Sequence, residues 1–263
     1  MQKLLFVVLI FIGFISSTYS QTISTEAPSV SASAVTVPKG FLQGELSGGI
    51  GVDNNGPETI VRSNESPFLL LRYGISNRWE LRMQHNTSFS KTNGVGNYQY
   101  TNFGIGAKYA ILPNESNTNL AVIGNFSPFA GIENSIEGNL LIAFSHAFKE
   151  RHSVGANVGY SLNRIDFGAP NPITRRASFL ASMVYSWQFL DNWTAFGEFY
   201  FNNSQSSIGD FDFDPEQAYG IDFGLQYLLT ERIQLDWVSG FNLDYKYQFH
   251  SIGFNIYFDT NKK

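Results

Sequence analysis

The chain has 263 residues, 16% of them aromatic and only 15% charged, with a formal net charge of −5. Ordinary soluble domains carry about 25% charged residues, and the excess of Phe, Tyr and Gly here favours strands and tight turns over helices. Cysteine is absent, which excludes disulfides, thiolate metal sites and a thiol nucleophile, and the acidic balance offers nothing to nucleic acid phosphates.

Residues 1–20 have the form of a secretory signal: Lys3, an apolar run over Leu4–Ile15, then small and polar residues ending at Ser20, after which cleavage is expected. Twelve apolar residues are too few to cross a hydrocarbon core of about 30 Å, so the stretch does not read as a membrane anchor. Its removal takes away only Lys3, so the charge passes from −5 to −6. Residues 21–39 are rich in Ser, Thr, Ala and Val, with Pro28 and Pro38. They read as a flexible lead-in that either lies free or folds back as a plug.

From Phe41 onward the sequence alternates with period two, the signature of strands with one apolar and one polar face. The first predicted strand is Phe41–Val52, with Leu42, Leu46, Ile50 and Val52 against Gln43, Glu45 and Ser47. After a polar loop over 53–66 comes the clearest unit, the hairpin Ser66–Phe89, turning at Ser76–Arg78. Leu69, Leu71, Tyr73, Trp79, Leu81 and Met83 form its apolar rows, and Glu80, Arg82, Gln84, Asn86 and Ser88 an unbroken polar row. Further strands are predicted at Tyr98–Ile111, Leu120–Ser127, Ile136–Phe148, His152–Leu162, Arg175–Trp187, Trp193–Asn202, Gln217–Leu228, Ile233–Asn242 and Tyr247–Phe258. A polar tail, Asp259–Lys263, follows.

The pattern predicts an all-β fold: a closed antiparallel transmembrane β-barrel of twelve strands over residues 40–258, with both termini at one end. Long polar connections, 53–66, 163–174 and 203–215, mostly follow odd strands, and tight turns mostly follow even ones. Tyr73, Trp79, Tyr109, Phe148, Trp187, Trp193 and Tyr227 gather near the tight turns, as an interfacial girdle requires. A soluble β-sandwich also alternates. Against it stand the strand lengths, which suit a tilted bilayer crossing, and a polar face made mostly of Gly, Ser, Asn and Gln, where a solvated face carries Lys and Glu. The expected location is the outer membrane of a diderm bacterium, with membrane lipid and a small solute as partners.

Leu69–Arg82, LLLRYGISNRWELR, resembles a family of bacterial outer-membrane barrels labelled as transporters of the meta pathway of phenol degradation. Arg72, Tyr73, Gly74, Glu80 and Arg82 carry the resemblance, supported by the short turns that restart strands at Trp193 and Ile233 and by an aromatic last strand. It extends over about Pro67–Phe258 and departs in the residues beyond Phe258, since many barrels end on an aromatic residue. The resemblance implies uptake of hydrophobic or aromatic compounds.

No hydrolase, zinc-protease or phosphate-loop motif occurs, and His85, His146, His152 and His250 are not paired at metal spacing, so no cofactor or metal is expected. A lipid-active barrel enzyme would need a His and a Ser near the rim; His85 with Ser88 or Ser90 is the pair to consider, and alternation points His85 and Ser88 to opposite faces. The stronger signal is charge on the polar face: Arg72, Glu80, Arg82 and Lys108 on the second to fourth strands, and Glu198, Asp222 and Asp236 on the ninth to eleventh. In a closed barrel these sets face each other across the lumen, either as a structural ion-pair network or as a constriction with a transverse field. The expected function is passage or binding of small solutes without catalysis; the alternative is a structural or surface-interaction barrel whose long loops contact partners.

Overall fold

The computed structural model describes residues 23–26, 29–53, 61–92, 95–112, 117–130, 135–165, 173–208, 211–212, 216–244 and 247–260. Its strands are β1 (Phe41–Asp53), β2 (Val61–Gly74), β3 (Trp79–Thr92), β4 (Val95–Ala110), β5 (Thr118–Ala130), β6 (Ile136–Lys149), β7 (His152–Ile165), β8 (Thr174–Leu190), β9 (Trp193–Ile208), β10 (Phe211–Asp212), β11 (Glu216–Thr230), β12 (Ile233–Asn242) and β13 (Tyr247–Asp259). β10 is a two-residue return against the end of β9. The other twelve strands form one antiparallel sheet in which each pairs with its two neighbours. β13 pairs with β1, β9 with β11 and β8 with β9, so the sheet closes and no spanning strand keeps a free edge. Closure is what a bilayer demands, since hydrocarbon offers no partner to an unpaired N–H or C=O.

The alternation sorts side chains as expected. Leu140, Tyr160, Met183, Phe223 and Ile252 project outward, while the residues between them face the lumen. At the tight-turn end the outward aromatics meet in a band: Trp79 lies 4.7 Å from Tyr109, and Trp193 lies 4.6 Å from Tyr227, centroid to centroid.

The strands run further than the apolar pattern does. β2 begins at Val61 inside the predicted 53–66 loop, β3 and β4 extend to Thr92 and Val95, and β9 extends to Ile208. Asp259 also belongs to β13, paired with Phe41, where a tail was expected. Beyond the apolar alternation the backbone ladder continues, so the hydrophobic period stops while hydrogen bonding does not. A register shift between Asn86 and Thr87 interrupts the polar row that reads as unbroken from Glu80 to Ser88.

Candidate functional site: the plugged lumen

Residues 23–26 and 29–39 lie inside the barrel. The chain enters β1 through Gly40, whose φ of 75° is left-handed and costs glycine little. Gly40 N–H donates to the Gly74 carbonyl at 2.8 Å, and Lys39 forms a parallel bridge to Gly74. A Cβ on Gly74 would stand 2.1 Å from the Pro38 carbonyl oxygen, so the plug crosses the end of β2 where only glycine leaves room. The Arg-Tyr-Gly triplet thus has three physical duties: Arg72 in the lumen, Tyr73 at the lipid interface, Gly74 under the strap.

From that strap the segment runs up the lumen to Val30 and Ser31, and Ile23–Glu26 runs back beside it, with the Ser24 and Ser33 hydroxyls hydrogen-bonded. Small residues let it fit. Ala34 packs on Ile123 of β5 and Ala143 of β6, with Ala32 and Leu141 beside them. Asn157 of β7 donates to the Ala32 carbonyl at 3.0 Å and accepts its N–H at 2.5 Å. Thr25 accepts from Gln226 and Gln234 at 3.1 and 3.3 Å.

The centre of the site is electrostatic. Arg72 uses all its guanidinium donors: Nε and Nη2 to Glu80 (both 2.9 Å), Nη1 to Glu45 (3.0 Å) and the Ser24 carbonyl (2.7 Å), and Nη2 also to the Val35 carbonyl (2.9 Å). Arg82 grips Glu26 through Nη1 at 2.9 Å and Nη2 at 2.5 Å, and reaches Glu80 at 3.3 Å. Lys108 Nζ donates to Glu26, to the Ser33 carbonyl at 2.8 Å and to the Val35 carbonyl at 3.2 Å. Glu80 also accepts the Val37 N–H at 2.9 Å. All six charged side chains are buried, and three positive charges face three negative ones, as burial of charge requires. Burial pushes the Glu26 carboxyl up, but Arg82, Lys108 and Arg72 together outweigh it and hold the group well below the usual carboxylate range.

The facing wall is acidic. Glu198 on β9 accepts the Val30 N–H at 3.1 Å and the Ser31 hydroxyl, so it holds the tip of the plug. Its register partner Asp222 on β11 is 3% exposed; neither carboxylate oxygen has a hydrogen-bond donor among the described residues, and what faces it is the Glu198 carboxylate. Asp236 on β12 is settled by Gln234 at 2.8 Å and Asn255 at 2.6 Å.

The structure therefore puts all seven charged residues singled out in the sequence on the lumen face and brings Arg72, Glu80, Arg82 and Lys108 into one cluster, with Glu198 and Asp222 together on the far wall. Sequence reasoning missed the two residues that complete the cluster, Glu45 and Glu26. Glu45 stands in the polar row of the first strand. Glu26 had a faint signal: it is the only charged residue between Gln21 and Pro38. His85 lies on the outward row between Leu69 and Phe103 in register, and the side chains of Ser88 and Ser90 fall outside the described residues.

The plug separates two cavities. The one toward the long loops, about 310 Å³, is floored by Glu26 and Ser29–Ala32 and walled in part by Phe68, Leu70, Arg82 and Phe249. The one toward the tight turns, about 430 Å³, lies between plug residues Ile23–Thr25 and Ser31–Val35 and the β6–β7 wall.

A closed barrel with a lipid-facing apolar girdle and a lumen crossed by its own N-terminal segment is an outer-membrane β-barrel. The fold is shared with the COG4313 outer membrane channel from Pseudomonas putida F1, at a TM-score of 0.74 and 15% identity over 89% of this chain and 100% of that one. The NanC porin superposes at 0.56, with 13% identity over 81% of this chain and 98% of that one. The translocator domain of the autotransporter NalP from Neisseria meningitidis superposes at 0.53, with 11% identity over 83% and 87%. No curated protein matches the chain in sequence. Residues 25–258 match the model of the family described as "Putative MetA-pathway of phenol degradation", and the chain belongs to that family.

Proposed function

We propose that the protein is an outer-membrane channel for small solutes, hydrophobic or aromatic ones among them, and that residues 23–39 are its internal gate. The observation that carries this reading is the plug itself. It crosses the lumen between two cavities, and among the described residues it is held largely by hydrogen bonds and ion pairs to the wall, with Ile23, Ala34 and Val37 as its buried apolar side chains. Such a contact set can open as a unit when its charges are answered otherwise. Arg72, Glu80, Arg82, Lys108, Glu198, Asp222 and Asp236 would then line the route. Catalysis is not part of the proposal. Cleavage after Ser20 would deliver the mature chain to the outer membrane with the plug at its N-terminus, the long loops outside the cell and the tight turns in the periplasm.

Planar-bilayer recordings test the gate. The full mature chain should conduct little. A variant lacking residues 23–36 should show a larger, steadier conductance that falls when phenol or a similar small aromatic solute is added. Equal conductance from both forms would remove the gate. A large conductance in the deletion variant, unaffected by aromatic solutes, would keep the gate and remove the aromatic solute class.

A further inference from the structure

Arg72 is satisfied chiefly by the barrel, through Glu45 and Glu80. Arg82 and Lys108 are not. Among the described residues, without the plug, Arg82 would keep one bond, to Glu80 at 3.3 Å, and Lys108 only Glu80 at 3.9 Å. Arg82 Nε is already buried with no acceptor among the described residues. The wall alone carries three cations against Glu45 and Glu80, an excess of one positive charge that Glu26 neutralises. Glu26 is therefore an internal ligand, and its two-pronged contact with Arg82 displays what the wall recognises.

We infer that Arg82 and Lys108 form a binding site for the carboxylate of a small organic anion, which Glu26 occupies in the plugged state and which a solute takes over as the plug leaves. The adjoining cavity defines the rest of the ligand. Glu26 and Arg82 line it, together with Phe68, Leu70 and Phe249 and with the polar Ser47 and Gln84. Its 310 Å³ is ample for one aromatic ring, since an apolar cavity of about 150 Å³ suffices for benzene. The fitting class is a monocarboxylate on a compact apolar or aromatic body. A neutral analogue of the same shape fills the cavity but cannot answer the two cations, so it does not compete with Glu26. The inference deepens the gate reading and rests on the plug being able to leave the lumen.

Benzoate and benzyl alcohol are the probes. The natural chain has no cysteine, so Ala34→Cys, at a buried plug position, gives a single thiol whose alkylation reports plug release. In the full mature chain carrying this change, benzoate should accelerate alkylation and benzyl alcohol should not. By calorimetry, Glu26→Gln should bind benzoate about tenfold or more tighter than the unmodified chain, while adding Arg82→Gln should abolish the gain. Matching responses to both probes, or none to either, overturn the inference. If Glu26→Gln fails to assemble, alkylation alone decides. Conductance on the same preparations separates the two ideas: benzoate-driven release without added current keeps the site and removes the channel, and current without carboxylate selectivity does the reverse.

Discussion

On β2–β4 the plug meets three cations interleaved with buried carboxylates, and every charge has an opposite charge in contact. On β9 and β11 it meets Glu198 and Asp222, and the groups that answer Glu198 are neutral: the Val30 N–H, the Ser31 hydroxyl and Ser182. Both halves are buried to a similar degree, so exposure does not distinguish them. Charge balance does. A buried charge with its counter-charge anchors; a buried carboxyl met by neutral donors, with a second carboxyl opposite, holds only as long as the donors stay. The plug is thus pinned on its cationic side and lightly tethered at its tip, and release would begin at Val30 and Ser31.

The largest effect should come from Arg72→Gln. It removes the cation common to Glu45, Glu80 and Glu26 and should cost about 3–5 kcal/mol of barrel stability, read as a lower urea midpoint for the heat-modifiable folded form. A midpoint unchanged from the parent would break the comparison at its strong side.

Arg82→Glu places a carboxylate against Glu26 and Glu80 while Arg72 still ties Glu45 and Glu80. The barrel should assemble and the plug should lose about 3 kcal/mol or more of docking, seen as raised conductance. A variant that folds normally and conducts as the parent does would take Arg82 out of both the anchor and the route.

A smaller loss is expected for Gly74→Ala, where the new methyl meets the Pro38 and Val37 carbonyls at 2.1 and 2.4 Å. Shifting the strap should cost about 1–3 kcal/mol of docking, measured as faster alkylation of the Ala34→Cys thiol. The smallest effect, and the one of opposite sign, belongs to Asp222→Asn. An amide in place of the acid opposite Glu198 can still donate to it, so stability should be unchanged or rise by up to about 1 kcal/mol. A loss as large as that of Arg72→Gln would mean that the acidic wall is an anchor too.

Period-two alternation placed Arg72, Glu80, Arg82, Lys108, Glu198, Asp222 and Asp236 on the polar face, because a strand leaves a side chain only two directions to point, and strand length with the make-up of that face turned it inward. Closure into a barrel followed from the same pattern, since two unlike faces repeated over many long strands are satisfied by lipid outside and a polar lumen inside. The outer ends of β2, β3, β4 and β9 were hidden, because beyond the bilayer nothing forces the faces to differ while the ladder carries on. Residues 21–39 read as a flexible lead-in, either free or folded back as a plug, for an equally physical reason: Ser, Ala and Val suit a solvated tether and a segment threaded through a narrow lumen alike. Glu26 meets Arg82 and Lys108 across separations of 56 and 82 residues. No local period encodes such a contact; only closing the sheet brings β3 and β4 over the segment that precedes β1 and turns a lone carboxylate into the centre of the site.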